Sequence, residues 1–343
     1  MQNNLVSVNM VVFNGAPFIA EALQSILDQT YDNFELIIVD DASTDDTLKI
    51  VESFHDSRIK IIKHDRNRGS LESRITALNN SSGKYIAILD ADDISMPNRL
   101  EIQQQFLEKN TQYGLVGGIA EKINKDGKSR EKMMGLALSS EETMVMLLFK
   151  NCFIHSCVMY RKSMIDEFGW DGSVECSEDF QLITDISTKM KIINLPEIVG
   201  KYRKHDKNLT NNTGLIKKNS KKIILKQLLI LGLQPSNYIL ENHMNFKKKI
   251  MHEDSKLNLN MLGWLDILFN ANKKKKFYPE PEFYDKISGY WLNIIDNPSV
   301  YSLMLLYQYY KSPIMRHSDR SFFDHLKFSF KCLIRYKPKK GVR

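Results

Sequence analysis

The sequence predicts an α/β fold in which a mostly parallel sheet carries helices on both faces, followed by an α-helical domain. Two observations lead to this. The first half of the 343-residue chain alternates short β-rich runs with amphipathic helical runs. Beyond residue 211, glycine and β-branched runs give way to lysine-rich helical segments. We therefore expect a first domain over residues 1–210 and a basic helical domain over residues 211–343.

The elements of the first half follow one another in βαβαβαβ order. Residues 16–29 carry apolar side chains at three-and-four spacing, which predicts one helix, and further helices are expected up to residue 54 and over residues 71–79. β-Rich runs bounded by polar turns predict strands over residues 5–13, 35–39, 59–63 and 85–89. This order requires a mostly parallel sheet, whose ligands bind at the carboxyl ends of the strands.

Helical periodicity dominates the second half, where no repeat of fixed period occurs. The predicted helices cover residues 215–233, 238–251, 256–270, 284–296, 300–311 and 322–336. Apolar clusters within residues 223–230 and 301–310 are too short to span a bilayer and favour a core or a surface between two copies of the chain.

Charge is divided unevenly along the chain. The total of 48 Lys and Arg against 41 Asp and Glu gives +7, but the first 200 residues carry −10 and the rest +17. The basic half is compatible with docking on an anionic membrane, at about 1 kcal/mol per nearby Lys or Arg, and equally with solvated faces of a helical bundle. A nucleic-acid partner is not expected, because there is no zinc-finger or RNA-binding signature and the first half is acidic.

The cysteines and the N-terminus indicate a reduced, cytoplasmic setting. Four cysteines occur without a CxxC pair, which argues against a disulfide framework or a thiolate zinc site. The N-terminal residues show neither the basic nor the apolar region of a signal peptide. Any membrane contact is expected to be peripheral.

Acidic residues follow two predicted strands. Neither GxxxxGK[ST] nor GxGxxG is present, which argues against a P-loop NTPase and a dinucleotide-binding dehydrogenase. Instead, Asp40 and Asp41 follow one strand and residues 90–93 (DADD) another. On an extended segment Asp90 and Asp92 face the same way and would share one ligand. Mg²⁺ or Mn²⁺ bound together with substrate phosphates suits such carboxylates, although a short acidic run also fits a solvated turn.

A series of motifs in order resembles glycosyltransferase family 2. They are residues 7–14 (SVNMVVFN), 23–30 (LQSILDQT), 34–45 (FELIIVDDASTD), 67–69 (NRG), Arg74, 82–85 (SGKY) and 90–93 (DADD). The likeness covers about residues 5–210. It implies the GT-A fold and an inverting hexosyl- or N-acetylhexosaminyltransferase that uses a nucleotide diphosphate sugar.

The resemblance also implies a donor site and a metal site. Asp41 matches the aspartate that hydrogen-bonds the donor base, and Asp92 matches the ligand of Mn²⁺ or Mg²⁺. Asp90 matches the acid beside the ribose. The nucleotide-sugar-binding residues implied are Phe13, Asn14, Asp41, Asn67, Arg74, Asp90, Ala91 and Asp92. The sequence departs from the family at Val11, where proline is usual, and at Phe13, where tyrosine is usual.

Three further segments supply candidates for catalysis and acceptor binding. Residues 176–182 (CSEDFQL) resemble the family's ED motif, which implies Asp179 as general base with Glu178 in support; acids there would also stabilise a helix N-terminus. The segment 202–210 resembles the closing YRxH segment, in which His205 would complete the metal site and Arg203 would neutralise phosphate. His155 and Trp170 are candidate acceptor residues.

Taken together, the resemblance implies transfer from a UDP-sugar to a glycan or lipid-linked acceptor in surface-polysaccharide assembly, at the cytoplasmic face of a bacterial plasma membrane. Two alternatives stand beside it. A nucleotidyltransferase would need a glycine-rich basic loop after the first strand, and residues 12–16 offer none. An inactive scaffold would be expected to lose Asp92 or Asp179, and both are present.

Overall fold

The computed structural model describes residues 4–246, 255–296, 301–317 and 321–334, and the chain divides into two compact units. The first comprises Met1–Met144 and Asn151–Ser220, and the second comprises Val145–Lys150 and Lys221–Arg343. The division thus lies after Ser220 rather than after residue 210, and a short segment of the first half belongs to the second unit.

A single sheet organises the first unit. Its nine strands are β1 Val6–Val12, β2 Phe34–Asp40, β3 Ile59–Lys63, β4 Tyr85–Ile88, β5 Ile94–Ser95, β6 Tyr113–Asn124, β7 Ser129–Met134, β8 Met159–Arg161 and β9 Lys191–Lys204. They lie in the order β3-β2-β1-β4-β8-β6-β9-β5, with β7 paired to β6. The pairs β3–β2, β2–β1, β1–β4 and β6–β9 are parallel, whereas β8 runs antiparallel to β4 and β6. The four strands predicted from the sequence are confirmed.

The first three helices between these strands also follow the predicted order. In chain order, the helices are α1 Ile19–Leu27, α2 Thr47–Glu52, α3 Ser70–Asn79, α4 Arg99–Lys109, α5 Ser140–Leu147, α6 Lys162–Phe168 and α7 Glu178–Ser187, with α8 Thr213–Ile230 after β9. Alternate side chains of β1, among them Val8 and Met10, are buried with Leu23 and Ile26 of α1. This core fixes the carboxyl ends of β1, β2 and β4.

The second unit is helical. Its remaining helices are α9 Asn237–His243, α10 Ser255–Lys275, α11 Glu280–Ile295, α12 Leu303–Lys311 and α13 Phe322–Leu333. The predicted helix over residues 238–251 ends earlier, and its last five positions lie outside the described residues, as do the last two of the helix predicted to end at residue 336. Within the described ranges, no helix is both long and apolar enough to cross a membrane.

His243 lies at the centre of the second unit, fully buried. Its Nε2 lies 2.8 Å from the carbonyl oxygen of Leu148, and the indole N–H of Trp264 donates to its Nδ1 over 3.1 Å. Its ring stacks on Phe149, with centroids 4.6 Å apart. These contacts fix a neutral ring with the proton on Nε2, and burial lowers the pKa of His243 to about 4.

Acidification should therefore destabilise the second unit. In the unfolded chain His243 titrates near its ordinary pKa of about 6.5. Between pH 6.5 and pH 4 the imidazole is therefore protonated in the unfolded state but neutral in the native state, and this difference favours unfolding. We expect this residue alone to remove about 2 kcal/mol of unfolding free energy between pH 7 and pH 5. Thermal unfolding at both pH values checks this. His243→Gln keeps a donor and an acceptor without titrating, and an unchanged pH dependence in that variant would contradict the assignment.

Candidate active site

The segments after β1 and β2 are tied together at the carboxyl edge of the sheet. Asn14 adopts a left-handed conformation (φ 54°) just after β1. Its backbone N–H donates to Ser43 Oγ over 2.9 Å, and its Oδ1 accepts from the backbone N–H of Thr44 over 2.8 Å. Beside it, the ring of Phe13 is about half exposed (49%). Asn14 thus holds the loop after β2 in place and leaves an accessible aromatic ring at the site.

Asp41 organises the loop that precedes α3. It is buried, and it accepts from His64 Nδ1 (2.7 Å) and from the backbone N–H groups of Arg68 and Gly69 (2.8 Å each). Burial alone would raise the pKa of Asp41, but these hydrogen bonds outweigh it and the pKa is lowered. Asn67 lies exposed in the same loop. Sequence reasoning missed His64, although it directly follows β3, where the strand-end rule would have indicated it.

Asp90 begins a cluster on the other side of β1. Its Oδ2 accepts from Ser156 Oγ over 2.8 Å, and its Oδ1 lies 3.8 Å from Nδ1 of His155. Burial opposes ionisation, yet His155, Arg74 and Ser156 together hold the pKa of Asp90 below its usual range. Asp90, predicted to bind the sugar donor, and His155, predicted to bind the sugar acceptor, are therefore neighbours.

Arg74 joins this cluster to α7. Its Nη2 lies 3.5 Å from His155 Nδ1 and its Nη1 lies 3.5 Å from Oε2 of the buried Glu178. The guanidinium carbon is 5.9 Å from the ring centroid of Trp170, which also meets His155 edge to face at 5.9 Å. We call Arg74, Asp90, His155, Trp170 and Glu178 the Arg74 cluster. It unites residues predicted separately for donor binding, catalysis and acceptor binding.

Several buried polar atoms in and beside the Arg74 cluster have no hydrogen-bond partner among the described residues. They are Arg74 Nε, His155 Nε2, Glu178 Oε1 and Tyr160 Oη. Buried polar groups are nearly always paired, so their concentration at one place is typical of a site that binds a polar ligand. A pocket beside them is lined by Arg74, Asp90 and Trp170 together with apolar side chains of β1 and β4.

Asp179 lies in the first turn of α7, as the sequence predicts for the ED motif. It is half-buried, and its Oδ2 accepts from Asn151 Nδ2 over 2.9 Å. Burial and the Asp179 charge raise the pKa of Tyr160 well above its ordinary value. Ser177, at the N-cap, makes no side-chain capping bond. Asn151, 28 residues away, could not have been found from the sequence, since no local pattern marks it.

Asp92 contacts the segment after β9. Its Oδ2 lies 2.7 Å from His205 Nε2 and accepts from Asn208 Nδ2 over 3.1 Å, and the His205 ring stacks on Phe18 with centroids 4.8 Å apart. The expectation that residues 90–92 are extended was wrong. The backbone N–H of Asp93 donates to the carbonyl of Asp90 over 3.1 Å and closes a turn around the buried Ala91, so the two carboxylates contact different partners.

The pair formed by Asp92 and His205 fits a divalent cation that takes its other ligands from a substrate. Their side chains keep 26% and 13% exposure, so both are accessible from the site. No group of three or more His, Cys, Asp or Glu among the described residues could hold a metal ion by itself. The carboxylate suits Mn²⁺ or Mg²⁺ when substrate phosphates complete the coordination, whereas an imidazole nitrogen is a ligand that a transition-metal ion accepts more readily than Mg²⁺ does.

Arg203 does not have the accessible position that phosphate contact requires. Its side chain is 2% exposed, its Nε donates to the carbonyl of Asp92 over 2.8 Å, and its Nη1 donates to the carbonyl of Lys125 over 3.1 Å. Nη2 forms an ion pair with Glu21. The nitrogen atoms of the guanidinium are thus all paired within the protein, and these contacts hold the turn after β4 beside the end of β9.

Comparison with known proteins identifies the family. The profile described as glycosyl transferase family 2 matches residues 7–169. Over 215 residues the chain is 33% identical to the Escherichia coli UDP-Glc:alpha-D-GlcNAc-diphosphoundecaprenol beta-1,3-glucosyltransferase WfgD, covering 82% of that protein and 62% of this chain. The chain belongs to glycosyltransferase family 2. This family 2 glycosyltransferase is also 45% identical over 115 residues to the putative Bacillus subtilis glycosyltransferase EpsE, covering 33% of this chain and 41% of EpsE.

Solved structures confirm the GT-A fold of this family 2 glycosyltransferase. S. aureus TarS 1–349 in complex with UDP aligns with a TM-score of 0.55 at 15% identity, covering 98% of this chain and 94% of that one. The Pyrobaculum calidifontis mannosyltransferase PcManGT, in complex with GDP-Man and Mn²⁺, aligns with a TM-score of 0.53 at 16% identity. The alignment covers 96% of this chain and 86% of that one. The predicted fold class, an α/β GT-A domain followed by a helical region, is confirmed.

Proposed function

We propose that this glycosyltransferase moves a sugar with inversion from a nucleotide diphosphate sugar, UDP-linked in the first instance, to a hydroxyl of a glycan or lipid-linked acceptor. The observation that carries the proposal is the Arg74 cluster, which lies at the carboxyl edge of the parallel strands with Asp179 on the adjoining helix turn. Two names support a UDP-linked donor: that of WfgD includes UDP-Glc, and that of the TarS complex includes UDP.

Asp41 retains the capacity to recognise the donor base. An ionised carboxylate offers about four acceptor positions, and Asp41 uses three of them within the fold. On this proposal the fourth accepts an N–H of the base, while Phe13 packs on the base and Asn14 and Asn67 flank it. Because the three internal bonds hold Asp41 rigidly, the base is bound without reorganisation of the carboxylate.

The diphosphate lies, on this proposal, between Arg74 and Asp92. Asp90 binds the ribose, and Ala91 shapes the turn that separates the two acids. Asp92 and His205 would hold Mn²⁺ or Mg²⁺, which supplies positive charge to the diphosphate when bound. Glu178 is too buried (1% exposed) to meet an acceptor, and its role is to position Arg74.

Asp179 acts as the general base. Asn151 engages Oδ2, and Oδ1 makes no hydrogen bond within the described residues, so Oδ1 receives the proton of the acceptor hydroxyl. The acceptor oxygen then bonds to the anomeric carbon as the bond from that carbon to the diphosphate oxygen breaks on the opposite face. An α-linked donor therefore gives a β-linked product, with His155 and Trp170 placed to contact the acceptor.

A donor and acceptor panel tests the proposal. The full chain is incubated with Mn²⁺, with UDP-, GDP- or dTDP-sugars, and with a short-chain GlcNAc-diphospholipid acceptor. We expect release of UDP and a β-linked disaccharide, seen in the NMR coupling of the new anomeric proton. With added pyrophosphate, formation of a nucleoside triphosphate and a sugar 1-phosphate would instead support a nucleotidyltransferase, and no turnover of any donor would support an inactive scaffold.

The setting proposed for this reaction is the cytoplasmic face of the plasma membrane. The excess of 17 positive charges beyond residue 200 suits a peripheral contact with anionic lipid. Such a contact would bring the active site to a lipid-linked acceptor. Association of two copies of the chain is the alternative use of the apolar surface in the second unit.

A further inference from the structure

The last described helix, α13, exposes a broad apolar face. Its exposed apolar side chains show 52–77% of their surface to solvent and are Phe322, Phe323, Leu326, Phe330, Leu333 and Ile334. At 100° per residue they fall within an arc of about 120°. Phe328 and Cys332, on the other side of the helix, are buried. The helix therefore has one apolar face packed in the unit and a second, larger one that the described residues leave uncovered.

The preceding helix extends this surface. On α12, Leu305 and Tyr309 are buried, whereas the apolar side chains exposed by 50–61% are Leu303, Met304, Tyr307 and Tyr310. Tyr309 packs on Phe328 of α13, with ring centroids 4.2 Å apart. The hydroxyl of Tyr310 lies 2.8 Å from that of Ser329, at the edges of the two exposed arcs. The arcs thus adjoin, and we call their ten side chains the α12–α13 apolar face.

The charge around this face identifies the kind of partner. Residues 301–343 contain ten Lys and Arg against two Asp, a net charge of +8. Lys311 and Lys327 are exposed on the two helices that form the face. Two copies of the chain meeting here would bring two such segments together, and like charges destabilise that contact. An apolar face flanked by exposed lysines, in a segment of net charge +8, instead complements a surface that has an apolar interior and anionic groups at its boundary.

We infer that the α12–α13 apolar face inserts into the interfacial region of an anionic lipid bilayer, with α12 and α13 lying in the membrane plane. Phe322, Phe323 and Phe330 enter the boundary between headgroups and acyl chains, while Lys311 and Lys327 contact anionic headgroups. The inference rests on the proposed function in one respect: membrane binding would bring the enzyme to a lipid-linked acceptor. The expectation that residues 301–310 are core holds for the buried Leu305 and Tyr309. The inference assigns the exposed apolar side chains of the same segment to lipid rather than to a second copy of the chain.

Vesicle binding by the full chain tests the inference. Sedimentation is measured with vesicles of equimolar POPG and POPC and with POPC alone, for the wild type and for the double variant Phe323→Ser, Phe330→Ser. Both side chains are exposed, so the fold should be retained, as circular dichroism will verify. We expect the variant to bind POPG vesicles about tenfold more weakly or worse. The matched control is Leu229→Ser, Ile267→Ser, which removes two exposed apolar side chains elsewhere in the second unit and should bind like the wild type.

Two further measurements separate the outcomes. In about 0.5 M salt, wild-type binding should fall but remain stronger than that of the Phe323, Phe330 variant, because apolar insertion is not screened. Equal lipid binding by this variant and the wild type would overturn the inference, as would a change in oligomeric state alone on ultracentrifugation. UDP release without vesicles should be equal in all variants. Absence of UDP release together with phenylalanine-dependent lipid binding would reject the proposed function and leave this inference standing.

Discussion

Asp179→Asn is expected to reduce the rate of sugar transfer by about 10²–10⁴-fold, because the amide cannot accept the proton of the acceptor hydroxyl. The substitution keeps the size of the side chain and its oxygen for Asn151 Nδ2 (2.9 Å in the native protein). Donor binding should therefore be unchanged. Single-turnover transfer with a saturating UDP-sugar, together with calorimetric titration of UDP and Mn²⁺, measures the two effects separately.

Asp185→Asn provides the matched control for this prediction. Asp185 lies six residues further along α7, where it accepts from Gln181 over 2.8 Å, and an asparagine oxygen can make the same bond. The control should transfer sugar at the wild-type rate. Transfer by Asp179→Asn at that same rate would show that another group removes the proton, and a parallel loss of UDP affinity would indicate a disturbed donor site instead.

Asp92→Ala is expected to lower kcat/KM by about 10²-fold or more. The substitution removes the carboxylate proposed to hold the divalent cation, whose positive charge would stabilise the departing diphosphate. The backbone carbonyl of Asp92 still accepts from Arg203, so the turn after β4 should persist. The distinctive readout is UDP affinity with and without Mn²⁺. The wild type should bind UDP more tightly with Mn²⁺, and the variant should show little difference between the two conditions.

Asp166→Ala serves as the control for Asp92→Ala, because it removes a half-exposed aspartate of the same unit whose ion pair is with Lys162. It should retain both activity and the effect of Mn²⁺ on UDP binding. Undiminished enhancement by Mn²⁺ in Asp92→Ala would exclude Asp92 as the metal ligand. His205 would then have a structural role, through its hydrogen bond to Asp92 and its stacking on Phe18.

Asp179 and Asp92 belong to separate networks, which is what makes the two predictions separable. Asp179 contacts Asn151, whereas Asp92 contacts His205 and Asn208 on the segment after β9. The Arg74 cluster contains neither residue. Asp179→Asn therefore removes the proposed proton acceptor, and Asp92→Ala removes the proposed metal ligand at the diphosphate. Each substitution should leave the hydrogen bonds of the other network intact.

Local sequence patterns predicted the part of the fold from β1 to β4. β1 to β4 were predicted within one residue at each end, because alternating or continuous apolar runs bounded by polar turns have few other solutions in a parallel sheet. The strand-end rule likewise placed Asp41 and Asp90 at the edge where ligands bind. These inferences needed only the spacing of side chains along one segment.

The partners of the site residues were decided by the tertiary structure. Asn151 reaches Asp179, His64 reaches Asp41 and Glu178 reaches Arg74 across long stretches of chain, so no periodicity records these contacts. Arg203 shows the converse case. Its motif suggested phosphate binding, but burial commits its guanidinium to internal acceptors.

The second unit shows the same division between sequence and structure. The sequence by itself predicted apolar, lysine-containing helices over residues 300–311 and 322–336. It could not determine which apolar side of α13 is buried, because Phe328 and Phe330 are chemically alike. Packing on Tyr309 buries Phe328 and leaves Phe330 exposed. Composition and periodicity fix which elements form, whereas contacts between distant segments decide which of their side chains remain available for a ligand, a metal ion or a membrane.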